Sequence, residues 1–143
     1  MFTKYCALLL LMLTCVKGEL WNMPTATDIQ TSVETCQISN ESFLNLQENY
    51  DKDSGDIRCF AKELGLWTDE DGFQAKRIIK LLKKYNQPIE IVVVIGYCNR
   101  SHKQTSNLDR WANEAYGCFA NGRIGAWIND YINNVYKNKI TTK

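Results

Sequence analysis

The sequence predicts an all-α domain of six or seven short helices around an internal apolar cavity, stapled by two disulfides. Three observations carry that expectation. Apolar residues recur at helical spacing along nearly the whole chain. The cysteines that remain after a predicted leader is removed are even in number, and each sits on such an apolar stripe. Short helices around a void also lose packing contacts, which crosslinks offset.

The leader is read first. Lys4 provides a positive start, Tyr5 to Val16 form an apolar run, and Val16 and Gly18 place small residues before a cleavage point. The run falls short of the roughly 20 residues that span a bilayer. Residues 1–18 are therefore predicted to be a signal peptide, and 19–143 a single secreted domain without membrane insertion. Cleavage removes Lys4 and Lys17 from 17 basic residues, leaving 15 against 16 acidic ones. So balanced a chain, with no basic block, excludes nucleic acid as the expected partner.

The elements follow in order. Ala26, Ile29, Val33 and Cys36 make one stripe behind Pro24 and Thr25, and a short helix from about Asn40 carries Phe43 and Leu46. Ile57, Phe60, Ala61 and Leu64 form the next face, which Gly65 ends. Gly72 marks a turn, and Ala75, Ile78, Ile79, Leu82 and Tyr85 form a stripe that Gln87-Pro88 breaks. In "IEIVVVIGYC" the β-branched residues favour a strand. Ile91, Val94, Ile95 and Cys98 nevertheless share a helical face, and a lone strand among helices has no partner, so a helix is predicted. Ser106-Asn107-Leu108-Asp109 reads as a capping box. The helix it opens carries Leu108, Trp111, Ala112, Ala115 and Phe119. Ile124, Trp127, Ile128, Tyr131, Ile132 and Val135 form the last stripe, which must bury against something, either as one wall of the cavity or packed outside it.

Chemistry-bearing motifs are sparse. His102 is the one histidine, in a polar stretch, and the chain lacks GxSxG, HExxH or a phosphate loop. Asp69, Glu70 and Asp71 lack the spacing of a calcium loop and read as a solvated turn. No enzyme, metal or cofactor is expected. Cys36, Cys59, Cys98 and Cys118 are separated by 22, 38 and 19 residues, unlike the close pairs of zinc sites. They read as two disulfides, for which three pairings exist.

The cysteine spacing and its flanks resemble the insect odorant-binding proteins, in the "C-minus" subgroup that lacks two of six cysteines. Cys59 lies six residues before Gly65, as the family's third cysteine does, so Gly55 stands in the second's place. Counting back from Cys118 puts Asp109 where the fifth would be. Both losses fall on one family disulfide, and the resemblance implies that Cys36–Cys59 and Cys98–Cys118 remain. "AKELGLWTDEDGF", "CNRSHKQTSNLDRWANEAYGC" and "RIGAWINDYI" are also similar to fly members of that subgroup.

The resemblance implies a secreted carrier of small hydrophobic ligands: odorants, pheromones or fatty-acid-like lipids. A chemosensory receptor or a second copy in a weak homodimer are the protein partners it implies. The candidate cavity wall is Phe43, Leu46, Phe60, Leu64, Ile78, Ile79, Leu82, Val94, Trp111, Ala115, Phe119 and Trp127, with Tyr97, Tyr116 and Tyr131 as candidate donors to a ligand oxygen. A helical signalling, defence or salivary protein acting through its surface, or by scavenging, is the alternative.

Overall fold

The computed structural model describes residues 20–44 and 54–140. The predicted leader and Leu46 lie outside them. Seven helices among the described residues make the fold all-α.

Helix α1, Ala26–Thr35, begins at a reciprocal cap: the Asp28 N–H donates to Thr25 Oγ1 (3.2 Å), and the Thr25 N–H donates to Asp28 Oδ2 (2.7 Å). The Thr25 N–H foremost, with the Thr25 hydroxyl that also donates to Asp28 Oδ2 (2.9 Å), holds the Asp28 carboxyl below its usual range. Ile29 and Val33 are buried. The short helix α2, Asn40–Leu44, buries Phe43.

Helix α3, Asp56–Glu63, buries Ile57, Phe60 and Ala61. It ends where Gly65 takes φ +70°, which a side chain would resist. The Leu66 N–H then returns to the Ala61 carbonyl (2.7 Å), and the indole N–H of Trp21 donates to the Leu64 carbonyl (3.0 Å). The Arg77 guanidinium caps the Gly65 carbonyl. The free carbonyls of the last turn thus find donors.

Two strands of two residues each, β1 Trp67–Thr68 and β2 Gly72–Phe73, form an antiparallel pair that the sequence reading did not include. Two residues are too few to show a period-2 pattern. Gly72 has φ +82°, and a Cβ there would lie 2.6 Å from Asn99 Oδ1. That room lets the buried Asn99 amide act as a third strand: its Oδ1 accepts from the Phe73 N–H (2.9 Å), and its Nδ2 donates to the Phe73 carbonyl (2.8 Å).

Helix α4 spans Ala75–Leu81 and gives way to a 3-10 turn over Lys83–Tyr85, so the stripe through Tyr85 tightens before Pro88 rather than running on as one helix. Asn86, at φ 50°, turns the chain. Helix α5, Pro88–Ser101, takes the apolar run as helix, with Pro88 in its first turn. Ile91, Ile95 and Cys98 are buried, whereas Ile89, Val93 and Tyr97 face solvent. Helix α6, Leu108–Ala120, is capped by Asn107, whose side chain accepts from the Arg110 N–H (3.0 Å). The cap is one residue later than the Ser106 box predicted, because Asn107 is the residue in extended geometry. Helix α7 runs Arg123–Ile140.

Cys36, at the end of α1, is bridged to Cys59 of α3, and Cys98 of α5 to Cys118 of α6. A large buried cluster joins α3 to α7 around Trp67, Ile95, Trp111 and Phe119, and a smaller one gathers Ile29, Val33, Ile38, Phe43, Phe60 and Leu64. The gap between these two clusters is where the candidate site lies.

Candidate functional site

An apolar pocket of about 70 Å³ opens between α1, α3, α4, α6 and α7. From α3 come Ile57, Phe60 and Ala61, with Leu64 and Leu66 beyond its end; α4 adds Ile78 and Leu81, followed by Leu82. Phe73 of β2 and Tyr116 and Phe119 of α6 line it too. Pro24, Ile29 of α1, and Ile128, Tyr131 and Ile132 of α7 complete the lining. These positions converge because each is the inward face of its own stripe.

The aromatic walls brace one another. Phe73 meets Phe119 edge-to-face at 5.1 Å, and Tyr116 meets Phe119 at 5.5 Å. Tyr131 donates its hydroxyl to the Pro24 carbonyl (3.3 Å), tying α7 to the segment before α1. Burial pushes the Tyr131 phenol up, so it stays a neutral donor.

Of the wall residues the sequence singled out, Phe60, Leu64, Ile78, Leu82 and Phe119 line this pocket. Phe43 packs behind it, edge-to-face on Phe60 at 5.2 Å. Trp111 and Ala115 are buried in the large cluster, away from the lining. Trp111 is drawn there by Trp67, at 4.8 Å, and by the Asn99 carbonyl, which accepts its indole N–H (3.0 Å). Ile79 and Val94 are half-buried against that cluster. Trp127 stacks on Tyr85 (4.8 Å, 17°) and is absent from the lining, to which α7 contributes Ile128, Tyr131 and Ile132 instead. Tyr97 is exposed on α5 and offers nothing to the interior. Ile29, Ile57 and Ile128 belonged to recognised stripes, but periodicity finds an inner face and not the void. Pro24 and Leu66 lie outside any helix or strand and Phe73 in a two-residue strand, none of which carries such a signal.

Outside the pocket, the Arg58 guanidinium grips Asp69 through Nε (2.8 Å) and Nη2 (2.7 Å), and reaches Asp109 Oδ1 with Nη1 (3.2 Å). Lys62 and the Trp67 indole also donate to Asp69, at 3.0 and 2.9 Å. Chiefly through Arg58, the Asp69 carboxyl is held well below the carboxylate range, and the same bonds raise Arg58. Asp69 thus sits in a structural clamp on Trp67, more tightly held than the solvated turn the sequence suggested. Among the described residues no group of three or more His, Cys, Asp or Glu could hold a metal ion, and no helix is long and apolar enough to cross a membrane.

The arrangement can enclose an apolar molecule, and comparison with known families says which proteins share it. Residues 20–122 match the model of the PBP/GOBP family. The chain belongs to this family. PBP/GOBP proteins are small secreted binding proteins that carry odorants and pheromones, and they are not enzymes. The match covers α1 to α6, so the wall supplied by α7 lies beyond it. No curated protein and no solved structure matches the chain.

Proposed function

We propose that this PBP/GOBP protein is a secreted carrier that solubilises small hydrophobic ligands in the pocket between its helices. One observation supports this above the rest: every residue lining the pocket is aliphatic or aromatic. Ligand surface moved there from water gains roughly 25 cal/mol per Å², with no charged wall to desolvate. We further place the chain in the four-cysteine C-minus subgroup with fly-like relatives. Gly55 and Asp109 at the two missing cysteine positions support that placement.

The pocket, at about 70 Å³, is smaller than the roughly 150 Å³ of a cavity that holds benzene. A ligand of more than a few carbons therefore enters by widening it.

The test is saturable uptake of an environment-sensitive apolar dye by delipidated protein, expected in the micromolar range, about −8 kcal/mol. Ala61→Leu, which fills the pocket from α3, should weaken uptake about tenfold or more. Absence of saturable binding would reject the carrier reading.

A further inference from the structure

We propose that the pocket selects neutral ligands and rejects ionised ones, carboxylates in particular. The inference rests on the carrier reading and adds the charge state of the cargo. None of the described residues lining the pocket carries a charge, and its polar side chains are the phenols of Tyr116 and Tyr131. The Tyr131 hydroxyl is committed to the Pro24 carbonyl.

No described cation lines the pocket, and those on the surrounding helices are exposed, as Lys76 and Lys80 of α4 are, or paired, as Arg110 of α6 is with Glu114. On α3, Arg58 is locked to Asp69 and Asp109, and Lys62 to Asp69. Arg77 of α4 caps the Gly65 carbonyl, and Arg123 of α7 pairs with Glu90. A carboxylate drawn into this wall would lose its hydration and find no counter-charge, a cost that an ester or alcohol of the same length escapes. Of the ligand classes implied by the family resemblance, neutral odorants and pheromones therefore fit the pocket, and fatty acids fit in protonated form.

The experiment compares two isomers at neutral pH, octanoate and methyl heptanoate, as competitors for the dye in wild-type protein. Methyl heptanoate should displace it at a concentration about tenfold or more below octanoate. Equal displacement by both overturns the inference and leaves the carrier reading standing. Displacement by neither, with no dye uptake, overturns both.

A second arm places a cation in the wall. In Ile132→Lys, at a half-buried position of α7 that lines the pocket, the preference should narrow or reverse in favour of octanoate. A folded Ile132→Lys protein, checked by its circular dichroism, that keeps the wild-type preference would overturn the inference. The wild-type isomer comparison decides the matter even where that variant does not fold.

Discussion

Gly55 and Asp109 stand face to face where α3 meets α6: a Cβ on residue 55 would lie 3.5 Å from Asp109 Oδ2. They are the two positions at which the family resemblance implies missing cysteines. The contact is instead bridged by charge, with Arg58 one turn along α3 reaching Asp109. Gly55 has φ −82°, so a cysteine there meets no backbone strain. The double variant Gly55→Cys with Asp109→Cys should form a third disulfide. Non-reduced peptide mapping should recover the linked peptides, with a stability gain of about 2–4 kcal/mol, reduced by the lost Arg58–Asp109 pair.

The two native bridges should differ in access. Cys98 is fully buried and its partner Cys118 partly exposed, whereas both cysteines of the other bridge, Cys36 and Cys59, are partly exposed. Graded reduction followed by alkylation should label Cys36 and Cys59 first. Replacing either pair by serine should cost about 2–5 kcal/mol.

Asp69 should impose a pH dependence. Its folded-state carboxyl binds a proton more weakly than in the unfolded chain, where the ordinary value of 3.8 applies. The stability it contributes is complete above the unfolded value and fades as the pH falls from there toward the folded one. Asp69→Asn should destabilise the neutral protein on the order of 2 kcal/mol, since Arg58 and the Trp67 indole lose an ionised acceptor. The gap between urea melts of the two proteins should begin to narrow below about pH 4 and close only as the pH approaches the far lower folded-state value.

Trp127 provides a control for the pocket. Its ring stacks on Tyr85, and Arg123 lies over it at 5.5 Å, away from the lining. Trp127→Phe should leave dye affinity within about twofold of wild type, and should cost about 1 kcal/mol of stability from the weakened stack. A large loss of affinity would mean that the ring, and not the helix alone, reaches the ligand.

Legibility followed the range of the interaction. Helix α5 could be read despite its β-branched run, because Ile91, Ile95 and Cys98 keep a helical spacing that burial then enforces. Helix α6 shows where reading stops. Trp111, Ala115 and Phe119 lie on one stripe and all are buried, yet of the three only Phe119 lines the pocket. Trp111 meets Trp67 of the hairpin, whereas Phe119 meets Phe73, which itself lines the pocket, and both contacts join segments far apart in the chain. The strand pair itself was invisible because its order comes from the distant Asn99 amide.

That amide has a consequence for biosynthesis. Asn99-Arg100-Ser101 spells an acceptor site for N-linked sugar in a secreted protein. The nitrogen a glycan would occupy is the Nδ2 that donates to the Phe73 carbonyl, in a residue 9 % exposed. Sugar at Asn99 and the Phe73 clamp exclude each other. A chain glycosylated there during synthesis would be barred from this fold, so the mature protein should carry Asn99 bare, as intact-mass and glycosidase-treated peptide spectra can show.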